Sequence, residues 1–170
     1  MKKTTNKIIL SILFLSLYSC IPWGTSDDEV IVSRQMYEAV TMLRTEFENS
    51  TDLLPPKPID NSGKIYVKGN YLFINEPNKG FHIYDNFNPS SPVNLAFLKV
   101  LGSSDMSIKG DILYINNATD LIAIKPNFSE NSIEITKRIV NTFPELVAPN
   151  NFGFYNTQEN EVIIDWNLIE

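Results

Sequence analysis

Beyond residue 60 the chain is a series of short apolar runs separated by Gly, Asn, Pro and Ser. Each run is too short for a globular helix and is bounded by turn residues, which is the pattern of strands. Lys64–Val67 reads as a first strand. Gly69-Asn70 reads as a tight turn, because glycine reaches positive φ without a Cβ clash. Tyr71–Asn75 is the next strand, almost wholly apolar or β-branched and so expected to be covered on both faces. Glu76–Gly80 supplies a loop, Phe81–Asp85 a third strand and Val93–Leu101 a fourth, after the turn-rich segment Asn88–Pro92.

The pattern then recurs. Val67-Lys68-Gly69-Asn70-Tyr71-Leu72-Phe73-Ile74-Asn75 aligns with Ile108-Lys109-Gly110-Asp111-Ile112-Leu113-Tyr114-Ile115-Asn116, position for position in character. The offset is about 41 residues, the length of a four-stranded propeller blade. Phe81-His82-Ile83-Tyr84-Asp85 likewise aligns with Leu121-Ile122-Ala123-Ile124-Lys125, and more weakly with Glu161-Val162-Ile163-Ile164-Asp165. The turn glycines Gly69 and Gly110 hold the same place in the two good copies. The expected class is mainly β: antiparallel four-stranded meanders forming a partial β-propeller over residues 61–170. The units are 61–101, 102–140 and a degenerate 141–170.

These landmarks resemble the LVIVD repeat, a family of propeller-like repeats found in bacterial surface and envelope proteins. The five-residue signature falls on Leu121–Lys125 and on Phe81–Asp85, with Lys125 in place of the usual Asp. The resemblance implies a binding or scaffolding role. A closed propeller needs at least four blades. Two good copies and one degenerate copy therefore imply a truncated relative of a longer protein, open stacking with exposed edges, or closure by self-association.

Upstream, the apolar positions change period. Met36, Tyr37, Val40, Leu43 and Phe47 fall at helical spacing behind Ser33, a possible N-cap, so a short amphipathic helix is expected over Ser33–Glu48. Leu53, Leu54, Pro55, Pro56 and Pro58 follow as a stiff extended connector ending near residue 60.

The first 19 residues have the three parts of a secretory signal. Lys2, Lys3 and Lys7 precede an apolar run over Ile8–Tyr18, about 11 residues long and short of the roughly 20 a spanning helix needs. The run forms a signal helix and ends in Leu17-Tyr18-Ser19-Cys20, which resembles the bacterial lipobox. That resemblance implies a lipid on the Cys20 sulfur, cleavage before it, and acylation of the new amine. Two or three acyl chains hold a protein firmly to a bilayer, where one holds it marginally. Residues 20–32 then read as a tether, since Pro22, Gly24, Thr25 and Ser26 break regular structure and Asp27-Asp28-Glu29 favours solvation. The acidic run also resembles the signal that sends some lipoproteins of Gram-negative bacteria to the cell surface. The expected location is the cell envelope, on the outer membrane, with the lipid as the membrane contact.

Composition narrows function further. Cys20 is the only cysteine, so no intramolecular disulfide and no cysteine metal site can form. The net charge is −6, and removal of the three leader lysines leaves eleven basic residues against twenty acidic. With no basic cluster, nucleic acid is not an expected partner. A protein, a glycan or a second copy remains as partner. His82, the only histidine, is read as a packed strand residue. Asp105, Asp111 and Asp120 lack calcium-loop spacing and are read as turn carboxylates. Phe152, Phe154, Tyr155 and Trp166 are read as core. No phosphate loop, zinc-ligand helix or nucleophile elbow appears, so no catalytic residue and no cofactor or metal is assigned. One rival reading is a propeller-type hydrolase or lyase, which would bring Glu76, His82, Asp105 and Asp111 together around one concave pocket. Another is a truncated remnant of a longer propeller without independent function.

Overall fold

The computed structural model describes residues 36–151, 153–154 and 158–169. The signal segment, the Leu17–Cys20 motif and the tether lie outside them, as do Phe152 and Tyr155. In chain order the elements are β1 (Met36–Leu43), α1 (Arg44–Glu48), β2 (Asp52–Leu54), β3 (Ile65–Lys68), β4 (Tyr71–Glu76), β5 (Gly80–Asp85) and β6 (Val93–Lys99). There follow β7 (Met106–Lys109), β8 (Ile112–Asn117), β9 (Asp120–Asn127), β10 (Ser132–Ile139), β11 (Gly153–Phe154) and β12 (Glu161–Ile169). No helix among the described residues is long and apolar enough to cross a membrane.

The two good sequence copies fold as equivalent antiparallel meanders. β3–β4–β5–β6 pair in succession, and β7–β8–β9–β10 repeat the pattern. Gly69 and Gly110 sit at the equivalent hairpins with φ of 55° and 56° and open space around them. Gly80 has a tighter reason for being glycine. Its φ is 146°, and a Cβ there would lie 2.1 Å from the Leu98 carbonyl oxygen on the neighbouring strand.

Strand alternation gives each meander two faces. The face of the first meander bearing Tyr66, Phe73, Phe81, Ile83 and Leu98 packs on the face of the second bearing Met106, Ile108, Leu113, Ile115, Ile122 and Ile124. This is the main core. It leans on Phe128, whose ring lies 4.4 Å from Tyr71 and 6.4 Å from Phe73, centroid to centroid. At the inner edge Lys64 and Lys68 of the first meander pair with Asp105 and Asp111 of the second.

Three expectations are corrected. The first concerns residues 33–48. The stretch Met36–Leu43 is a strand, and only Arg44–Glu48 is helical. Two of the residues that composed the helical stripe, Met36 and Leu43, are 41% and 49% exposed. The inward positions are Val40 and Met42, two apart, as a strand requires. Tertiary pairing decided the matter: β1 runs antiparallel along nearly the whole of β12. The second concerns the connector. It contributes β2, a fifth strand on the outer edge of the first meander, paired with β6. The chain beyond β2 then crosses that meander's outer face, where Asn94 Nδ2 donates to the Lys57 carbonyl.

The third concerns residues 141–170, which do not form a third meander. The recurrent Glu161–Asp165 segment is a strand, but its partner is β1, and β11 lies parallel to β1 on the other side. This mixed sheet packs by Val40, Met42, Val162 and Ile164 on Phe47, Ala118 and Leu101. Ala118 lies in the β8–β9 turn and Leu101 in the β6–β7 connection. Asn78, from the β4–β5 turn, donates to Asp165. The third sheet thus covers the turn end of the two meanders. Of its aromatic residues, Trp166 is half-buried and donates through Nε1 to the Leu146 carbonyl.

Candidate functional site

The polar groups singled out in the sequence go to different places. Glu76 ends β4 and His82 stands two positions into β5, so a tight loop brings them to one face. Both are fully buried, and His82 Nε2 donates to Glu76 Oε2 over 2.7 Å. Lys79 Nζ (2.8 Å) and Lys57 Nζ (3.0 Å) complete the cluster. Burial opposes ionisation of Glu76, but hydrogen bonds from Lys79, His82 and Lys57 outweigh it and hold its carboxyl at about 2. The Lys57 ammonium also lies 4.0 Å above the Phe97 ring. This cluster pins the connector onto the first meander. It is packed, as the strand reading of His82 anticipates.

Asp120, expected from the sequence to be a turn carboxylate, is instead the centre of a second buried cluster. It begins β9, is fully buried, and takes Arg44 through both guanidinium NH groups, one at 3.1 Å. Arg138 Nη1 (2.8 Å), the Asn141 backbone N–H (3.2 Å) and the Thr119 hydroxyl (3.3 Å) also donate to it. Burial opposes ionisation here too, yet the two arginines hold its carboxyl below the usual range. Both guanidinium groups lie over the fully buried Phe47 ring. The arrangement ties α1, β9 and β10 together. Its members lie far apart in the chain and share no motif, so no local signal could have exposed it.

Asp105 and Asp111 are exposed inter-meander partners. Lys64, then the Tyr66 hydroxyl, holds Asp105 below its usual range; burial and that same bond push Tyr66 up to about 12. Lys68 lowers Asp111 in the same way. Glu76, His82, Asp105 and Asp111 therefore do not surround one pocket. Among the described residues no three His, Cys, Asp or Glu side chains could hold a metal ion.

The concave feature nearest the predicted turn glycines is a cleft of about 490 Å³ between the two meanders. Phe73, Leu113 and Phe128 line its apolar part. Tyr71, Phe87 and Leu95 stand along the first meander, and Lys68, Asp85 and Asp111 bring charge to the rim. Gly69 and Asn70 form its lip at the β3–β4 hairpin. Phe87 is 78% exposed, although it is a large apolar side chain. Its backbone N–H donates to Asp85 Oδ1, which fixes the loop that carries it. Sequence reasoning located the hairpin and missed the cleft, because Phe87 and Phe128 lie in connecting loops outside the repeated strand pattern.

A model of the LVIVD repeat matches residues 61–97, which run from just before β3 into β6. The first meander is thus an LVIVD repeat, and the second reproduces its strand order and registers. No curated protein and no solved structure matches the chain.

Proposed function

We propose that this is a lipid-anchored protein of the cell envelope that binds a carbohydrate, without catalysis, in the cleft between the two meanders. The anchor rests on Lys2, Lys3 and Lys7, the apolar run after them, and Cys20 at its end. The observation that carries the binding reading is Phe87, held out at the mouth of an aromatic-lined cleft beside two carboxylates. An aromatic ring offers its face to the apolar C–H side of a pyranose, and carboxylates accept from the sugar's hydroxyls. The cleft volume is in the range of small-ligand sites, which combine apolar lining with a few convergent polar groups.

Calorimetric titration with a panel of neutral and amino-sugar oligosaccharides tests this. Binding of one class is expected, weakened about tenfold by Phe87→Ala and by Asp85→Asn, the worth of roughly 1.4 kcal/mol. No heat across the panel, or binding that neither substitution alters, refutes the reading. Binding of aromatic peptides in place of sugars would assign the cleft to a protein partner.

A further inference from the structure

The contact between the two meanders is built from two different faces, and the chain carries each face twice. At the repeat offset, Met106, Ile108, Leu113 and Ile115 correspond to Ile65, Val67, Leu72 and Ile74 of the first meander. In the second meander this face is closed: Leu113 and Ile115 are fully buried and Met106 nearly so, all against the first. In the first meander the same apolar face points away from the second. The connector covers its outer half, over His82 and Phe97. Its inner half is open, with Ile65 61% and Val67 63% exposed. Apolar residues this exposed, side by side on an edge strand, are what natural sheets avoid unless something covers them.

The matching opposite face is also present and open. Tyr66, Phe73 and Phe81, which close the internal contact, correspond to Ser107, Tyr114 and Leu121 of the second meander. Ser107, Tyr114 and Leu121 line a second cleft of about 640 Å³, together with Phe143 and Val147. Charge agrees with the same pairing. Lys64 and Asp105 occupy equivalent repeat positions and pair across the internal contact. Repeating that contact between molecules places Lys64 of one copy beside Asp105 of another, again opposite in sign.

We propose that this chain associates head to tail with itself, seating β3 of one copy in the cleft beside Tyr114 of the next, so that the internal meander contact is repeated between molecules. The contact is heterologous: it uses two different patches and leaves one of each free in a pair. Such a contact closes into a ring if the rotation allows and otherwise extends. A second copy is favoured over an unrelated partner because the chain already contains the matching half of each surface, in register.

Cross-linking of the full chain in detergent, in a Cys20→Ser background, tests the proposal. Val67→Cys molecules are mixed with Val147→Cys molecules and treated with a short thiol-to-thiol linker. The mixture should give linked pairs, and either variant alone should give at least tenfold less. Sedimentation without linker should show association that rises with concentration and is weakened at least tenfold by Val67→Asp. Val67 is exposed, so that substitution leaves the monomer folded, which circular dichroism checks. Three results overturn the proposal: a monomer at all concentrations, Val67→Cys linking to itself as readily as to Val147→Cys, or association indifferent to Val67→Asp.

Discussion

Replacing Glu76 by Gln removes one charge from a fully buried site and keeps its shape. The carboxyl is held at about 2 in the folded chain against an ordinary 4.5. That difference corresponds to about 3 kcal/mol of stability at neutral pH. Because the folded value is depressed, the stabilisation is complete above the unfolded value and is lost as pH falls through the folded one. At pH 3 about 1.5 kcal/mol should remain, and near pH 1 almost none. The variant keeps an oxygen for His82 Nε2, so the deficit comes from Lys57 and Lys79 losing their countercharge. Both lysines are partly exposed and can rehydrate, which sets the expected loss at pH 7 at about 2–3 kcal/mol. Urea unfolding of both proteins at pH 7, 5 and 3 gives the test. The difference between them should be full at pH 7, only slightly smaller at pH 5, and about halved by pH 3. A deficit that stays constant across this range, or one under about 1 kcal/mol at pH 7, would refute the electrostatic account of the cluster.

Four further outcomes are expected. Asp120→Ala leaves Arg44 and Arg138 without their shared carboxylate and should cost about 3 kcal/mol by urea unfolding, with faster proteolysis around α1. Phe73→Ala opens a cavity between the meanders and should cost about 3–5 kcal/mol, with loss of near-ultraviolet dichroism from the aromatic cluster. Gly80→Ala should abolish folding because its Cβ meets the Leu98 carbonyl, whereas Gly69→Ala should cost only about 1–2 kcal/mol, since strain there comes from φ alone. Under the proposed lipid anchor, the intact mass of the natural chain should include acyl chains that Cys20→Ser removes, and an unmodified Cys20 would refute the anchor.

The sequence disclosed most about the meanders and least about what joins them. Strand order, the hairpins at Gly69 and Gly110 and the buried strand around Phe73 were legible because each depends on residues close together. The same local signal misled at two places. Residues 36–48 carry apolar positions compatible with either period, and the choice of strand was made by β12, more than a hundred residues away. Glu161–Asp165 carries the repeat's third-strand pattern. The strands that should precede it are reduced to β11 and the loop around Val147, so β1 takes up the pairing. The cleft was half legible. Its hairpin lip belongs to the repeat, while Phe87 and Phe128 belong to loops that the repeat does not constrain.

The pairing of Leu43 with Glu161 has a consequence for assembly in time. The two meanders can condense as soon as their own strands have emerged, since each contact within them is short-range in sequence. The third sheet cannot: its first strand must wait until the last has been delivered. A chain that emerges from its amino end therefore keeps β1 without its antiparallel partner until β12 has followed, whereas Arg44 can meet Asp120 as soon as β9 is in place. Final closure is a single late event that brings both distant strands together over the exposed turn end.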